Sequence, residues 1–252
     1  MSKGPTIRLE DVHMAFGPRT ILQGINLSFE PGRTSVVIGP SGCGKSTILR
    51  LVSGLLRPTR GKVWVDGRDI TQLRPDEMKA YRQQLGFVFQ AGALFDSMTI
   101  GENVAFPITE HLDLPRAELD RIVAEKLARV NLPGLEQLYP ANLSGGMQKR
   151  VSLARAIARD PGTILYDEPT TGLDPITSTV IENLIVGLTH DTQATSIVVT
   201  HQHSTIYCGD QITMLYQGQV VGTGTPDEMR QTQEPLIRNF LDGVVSQEMA
   251  GD

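Results

Sequence analysis

The segment Gly39-Pro40-Ser41-Gly42-Cys43-Gly44-Lys45-Ser46 constrains the fold of this chain more than any other. It fits the pattern G-x-x-x-x-G-K-[ST]. Glycines let the backbone N–H groups of such a loop turn inward around an anion, and the N-terminus of the helix that follows adds positive potential. The flanks suit this reading. Thr34 to Ile38 is a compact run dominated by β-branched residues, as in a buried strand. A helix is expected from Lys45 to near Gly54, with Pro58 beyond it. In that context Lys45 can reach the β- and γ-phosphates of a nucleotide, and the Ser46 hydroxyl can ligate Mg²⁺. Cys43 lies inside the loop, where alkylation is expected to place bulk in the phosphate space.

The rest of the chain alternates between strand and helix patterns. The first thirty residues read as short strands joined by turns, with Leu27-Ser28-Phe29 stopping at Pro31-Gly32. Val63-Trp64-Val65 followed by Asp66-Gly67 reads as a hairpin arm and its turn. From Pro115 to Val130, Leu119, Ile122, Val123, Leu127 and Val130 recur at helical spacing, and Pro115 suits the first turn. A second helix is expected from Gly146 to Arg159, stopped by Asp160-Pro161. Strands return at Ile164-Leu165-Tyr166, ending in Asp167-Glu168, and at Ser196 to Thr200, ending in His201. Such alternation implies an α/β fold with a mainly parallel sheet covered on both faces.

Composition removes several function classes. The net charge is −5, whereas a nucleic-acid binder usually carries a basic surplus, so no nucleic-acid partner is expected. No stretch approaches the ~20 consecutive apolar residues of a membrane helix. Met1 to Glu10 has no apolar signal-peptide core, and two cysteines make no disulfide framework, so a cytosolic chain is expected.

In open α/β sheets, ligands collect at the carboxyl ends of strands. The loop, Asp167-Glu168 and His201 all stand at such ends. One carboxylate there can hold Mg²⁺, and a second can orient or deprotonate an attacking water.

With these residues in place, the chain resembles the ATP-binding subunits of ABC transporters from about residue 6 to 230. Leu143-Ser144-Gly145-Gly146-Met147 is similar to the ABC signature, Gln90 to the Q-loop glutamine, Thr171-Gly172-Leu173-Asp174 to the D-loop, and Thr200-His201 to the switch histidine. The resemblance implies a P-loop ATPase core with an N-terminal antiparallel β subdomain. It implies one cassette over residues 6–234, a helical insertion at about 91–160 and a tail at 235–252 forming a short amphipathic helix. The cofactors implied are ATP and Mg²⁺. Gly39 to Thr47 would bind the phosphates, Phe16 would stack on adenine, and Ser46, Gln90 and Asp167 would serve the metal. Glu168 would be the catalytic base, with His201 on the γ-phosphate and Gln90 serving the attacking water. Ser144, Gly145 and Gly146 would meet the nucleotide of a second copy in a head-to-tail ATP-sandwich dimer, and Asp174 would connect the two sites. Met147 and Gln202 stand where Gln and Asp are frequent in the family.

A narrower resemblance concerns the cargo. Phe89-Gln90-Ala91-Gly92-Ala93-Leu94-Phe95-Asp96-Ser97-Met98, the Met147 signature, Leu173-Asp174-Pro175-Ile176 and Phe240-Leu241-Asp242-Gly243 are similar to Mla-type lipid-transport ATPases. This implies an integral-membrane permease, an MCE-type lipid-binding protein and a small accessory subunit as partners. It also implies a place on the cytoplasmic face of a bacterial inner membrane, peripheral through the permease. Leu94, Phe95 and Met98 would form a groove for a permease coupling helix. Two alternatives stay open: an amino-acid or other small-solute importer, and a non-transport ABC ATPase of DNA repair or translation. Lys45 and Ser144 are only 99 positions apart with no heptad run, and there is one cassette, which weighs against the last.

The tail places Leu236, Ile237, Phe240, Leu241 and Val244 on one helical face. Packing on its own domain is the default, and contact with a second copy the alternative.

Overall fold

The computed structural model describes residues 3–90, 92–202 and 208–243. Two sheets organise it. The first is antiparallel, in the order β2-β1-β4-β5, with β1 Ile7–Phe16, β2 Arg19–Phe29, β4 Arg60–Val65 and β5 Arg68–Asp69. The second has six strands in the order β10-β9-β3-β8-β7-β6. These are β3 Thr34–Ile38, β6 Leu85–Val88, β7 Thr163–Asp167, β8 Thr195–Thr200, β9 Gln211–Tyr216 and β10 Gln219–Gly224. All its pairs are parallel except β9 with β10.

The opening strands are longer than expected, with 10 residues in β1 and 11 in β2. Their pairing shifts register between Leu9 and Ala15, and such bulges break the alternation that would have revealed their length. The turn after β4 is as expected: Asp66 and Gly67 both have positive φ, the two-residue hairpin geometry that Asp-Gly favours.

Eight helices are described: α1 Lys45–Val52, α2 Pro75–Arg82, α3 Ile100–Thr109, α4 Arg116–Arg129, α5 Gly145–Ala156, α6 Pro175–Thr192, α7 Pro226–Gln231 and α8 Pro235–Leu241. The helix expected to reach Arg159 ends at Ala156, because Ile157 to Arg159 form a turn and Asp160 takes a left-handed φ of 49°. In α4, Pro115 stands at the N-cap and Val123 and Leu127 are buried, matching the expected stripe.

The six-stranded sheet separates two cores. Val36, Ile38 and Tyr166 face one, with residues of α3, α4, α5 and α6. Val37, Leu165, Ile197 and Val199 face the other, with α1 and the antiparallel sheet. Alternate side chains leave a strand on opposite faces, so a strand covered on both sides loses the polar alternation of a half-exposed one: all five residues of β3 are buried, Thr34 and Ser35 as well as Val36, Val37 and Ile38.

Topology then sets the site. β3, β8 and β7 are neighbours, with Ile38 beside Thr200 and Asp167 beside Val199. The next residues, Gly39, His201 and Glu168, therefore emerge side by side at one sheet edge.

Candidate active site

The loop after β3 closes on itself. Lys45 Nζ donates to the carbonyls of Gly39 (2.8 Å) and Pro40 (3.0 Å), and the Cys43 N–H also donates to Pro40. Lys45 is only 6% exposed, and a buried ammonium is costly unless it is bonded. Gly39 has φ 148°, and a Cβ there would stand 2.1 Å from the Leu215 carbonyl, so only glycine fits.

Phe16, Arg19, Ile21, Ser41, Gly42, Gly44 to Thr47, Gln90, Glu168 and His201 line one cleft of about 360 Å³. Phe16, at the end of β1, is 47% exposed on this lining. Arg19 was not anticipated; nothing in its local pattern sets it apart from an ordinary strand-edge cation.

Glu168 is 7% exposed and has a left-handed φ of 49°. For a residue with a Cβ that conformation costs about 1–2 kcal/mol. Its N–H donates to the Val199 carbonyl at 2.9 Å. Its carboxylate lies 2.8 Å from His201 Nδ1 and accepts from the His201 N–H and the Thr171 hydroxyl, both at 3.3 Å. Lys45 Nζ is 4.0 Å away. This carboxylate lines the cleft, where it can accept a proton from a water bound there.

Asp167 accepts a hydrogen bond from the Ser46 hydroxyl at 2.9 Å. Burial pushes its carboxyl up from the usual carboxylate range, partly countered by that hydroxyl. Among the described residues no cluster of three or more His, Cys, Asp or Glu could hold a metal. Mg²⁺ takes one or two protein oxygens plus phosphates and waters. Ser46 and Asp167 are such hard oxygen donors.

Cys43 departs from expectation. Its side chain is buried in the core with Leu22, Ile48 and Leu49, and does not line the cleft. Burial pushes its thiol up, although Lys45 pulls the other way. An alkylating reagent meets a shielded, protonated thiol rather than an open phosphate site.

The signature residues and Asp174 stand outside this chain's own cleft. Ser144 caps α5, accepting from the Met147 N–H at 3.3 Å, and Ser144 and Gly145 are exposed. Gly146 packs so close to α6 that a Cβ would stand 2.4 Å from Thr177 Cγ2. Asp174 caps α6, and the Thr177 hydroxyl (2.6 Å) and N–H (3.0 Å) hold its carboxyl below its usual range. Two helix N-termini thus abut at the surface, where free N–H groups suit an anion supplied from elsewhere.

Leu94, Phe95 and Met98 do not share one groove. Phe95, 41% exposed, tilts against Phe106 (centroids 4.8 Å apart) in a groove of about 410 Å³ with Phe87 and Phe89. Leu94 packs on the core, and Met98 lines a separate cleft between α3 and α4. Adjacent loop residues point different ways, which spacing alone does not reveal.

Known proteins can now be set beside this geometry. The family described as "ABC transporter" matches residues 22–171. "Protein TRIGALACTOSYLDIACYLGLYCEROL 3, chloroplastic" of Arabidopsis thaliana is 41% identical, over 94% of this chain and 73% of that one. "Intermembrane phospholipid transport system ATP-binding protein MlaF" of Haemophilus influenzae is 40% identical, over 94% and 90%. "Probable ribonucleotide transport ATP-binding protein mkl" of Mycobacterium tuberculosis is also 40% identical, over 95% and 67%. A solved ATP-binding cassette, described as a dimeric post-hydrolysis state bound to ADP and Pi, superposes with TM-score 0.79 at 33% identity, over 87% and 98%. CbiO1 from Clostridium perfringens, part of the ABC transporter complex cbiONQ, gives 0.84 at 27%, over 94% and 95%.

Proposed function

The chain belongs to the ABC transporter family and is an ATPase, and from that premise we propose that it powers phospholipid movement between bacterial envelope membranes. The observation that carries the cargo is the 40% identity to the phospholipid transport ATPase of Haemophilus influenzae, which spans nine-tenths of both chains. The Arabidopsis relative, named for a galactolipid, supports the same class.

ATP lies with its phosphates in the Gly39–Thr47 loop and its adenine on Phe16. Binding draws Lys45 from its own loop carbonyls to the β- and γ-phosphates. Ser46, Asp167 and Gln90 would hold Mg²⁺, which when bound would supply neutralising charge to the transferred phosphoryl group. Glu168 accepts the proton of the attacking water, and His201, beside its carboxylate, stands over the γ-phosphate. Ser144 to Gly146 of a second copy close the site, since burying a polyphosphate without those donors would be costly. The dimeric cassette bound to ADP and Pi supports that arrangement.

Among the described residues no helix is long and apolar enough to cross a membrane. The ATPase works through a separate permease, seated on the Phe95 groove at the inner face of the membrane. An MCE-type protein and a small accessory subunit complete the system. The mycobacterial relative's name points instead to ribonucleotides.

Affinity purification from native membranes, with identification of partners and bound lipids, decides between these readings. A multi-span permease with an MCE-type protein and phospholipid is expected. Recovery of a nucleotide, sugar or amino-acid binding protein would overturn the lipid reading. Phe95→Ala should reduce permease recovery and leave ADP affinity intact; normal recovery would remove the groove from that role.

A further inference from the structure

The connection from Phe89 to Thr99 has no helix or strand among its described residues, yet its backbone is held at many points. Lys149 donates its ammonium to the Gln90 carbonyl. The Arg155 guanidinium donates to the carbonyls of Gly92 and Ala93, both at 2.8 Å. The Ser152 hydroxyl adds a second bond to Gly92 at 3.0 Å. All three side chains come from α5 at spacing i, i+3, i+6, one stripe of the helix, and all three residues are buried. From the other side, buried Asn103 of α3 accepts from the Phe95 N–H (2.8 Å) and donates towards the carbonyls of Phe95, Met98 and Thr99.

Two buried cations on one helix face require partners, and here each hydrogen-bond acceptor is a carbonyl of this connection, with Arg155 also over the Phe95 ring (5.9 Å to its centroid) and Lys149 within reach of the Glu168 charge. The connection in turn carries two groups of consequence. Gln90 lines the phosphate cleft, and Phe95 lines the aromatic groove. The same helix opens at the exposed Ser144 cap. A single rigid element thus joins the cap, the cleft and the groove.

We propose that Lys149, Ser152 and Arg155 are positioning residues for ATP hydrolysis, tying Gln90 to α5 so that it stays in register with the signature end of that helix. The proposal rests on the role given above to Gln90. It predicts a defect in turnover rather than in nucleotide binding, because none of the three lines the cleft.

The test compares the purified full chain with Ser152→Ala, Arg155→Lys, their double variant, Gln90→Ala and the triple combination. Steady-state kinetics gives kcat and KM, calorimetry gives ADP affinity, and hydrogen exchange reports on residues 89–99. Both single changes are small, so folding should survive, as circular dichroism will show. The double variant should lose about tenfold or more in kcat, as small misplacements of reacting groups do. KM and ADP affinity should stay within about twofold, the pattern of an interaction made in the transition state. Exchange should quicken in residues 92–98 and stay unchanged in the Gly39–Thr47 loop. Adding Gln90→Ala should cause no further loss, since the groups act through one residue.

Wild-type kcat in the double variant, with Gln90→Ala slow, overturns the clamp alone. An additive loss in the triple variant, or a parallel fall in ADP affinity, also overturns it. Wild-type turnover in Gln90→Ala overturns the role of Gln90 and the clamp with it.

Discussion

Glu168 combines burial, a left-handed backbone and three hydrogen-bonding neighbours, Thr171, Val199 and His201, in a single residue. Its place was readable because a pair of acids ends an apolar strand; its backbone conformation was not, since nothing local distinguishes it from Asp167. Cys43 shows the opposite case. Its position in the loop suggested exposure, but the chain turns its side chain inward onto Leu22 and Ile48. The thiolate is the reactive species, and burial moves Cys43 up and Cys208 up to about 12. Each unit of upward shift leaves about tenfold less thiolate at neutral pH. Iodoacetamide at pH 7.5 should therefore modify neither thiol readily in the folded chain and both in urea. Rapid native labelling of Cys43, abolished by ATP, would restore the open-loop picture. Lys149 and Arg155 were missed altogether. Cations just past a motif resemble a solvated helix face; their i, i+6 spacing around Ser152, on a helix whose other buried positions are small or aliphatic, was the available signal.

At the scale of elements, local pattern sufficed where one element has one environment. β3 is buried on both faces, so its run of β-branched residues marked both its ends. α4 has a clear apolar stripe and a proline at its start. Pattern failed where tertiary context intervenes. Bulges hid the length of β1, and Pro107 inside α3 obscured a helix whose start is fixed by the reciprocal Thr99–Glu102 cap. The tail helix α8 shows what burial adds. Ile237 is 2% exposed and sits beside Gly222 of β10, in agreement with packing on its own domain, while Val244 lies outside the described residues. Ile237→Ala should cost about 2–4 kcal/mol, the range for emptying a buried aliphatic site. Urea unfolding followed by far-UV dichroism measures this, with ADP affinity as control. An unchanged midpoint would mean that α8 contributes nothing to the folded chain.

At the scale of the molecule, adjacency of β3, β8 and β7 brings the Ser41–Thr47 loop, Glu168 and His201 into one cleft, while the residues at the α5 and α6 N-termini stand outside its lining. On the proposed reading, one chain holds halves of two sites: the polyphosphate cleft of one, and the signature residues that close the other. Spacing could reveal both motifs but not that the second lies outside the cleft, because that depends on how the chain packs, α5 against α6 through Gly146 and Thr177. On the proposed reading, a second copy related head to tail supplies each half with its complement. Glu168→Gln tests it most directly, because the amide keeps the shape of the side chain but cannot take a proton from water. Light scattering of this variant with Mg²⁺ and ATP should give twice the 27.5 kDa chain mass, with turnover abolished and ATP retained. A species that binds ATP but stays at the mass of one chain, or that hydrolyses ATP at the wild-type rate, would contradict the account.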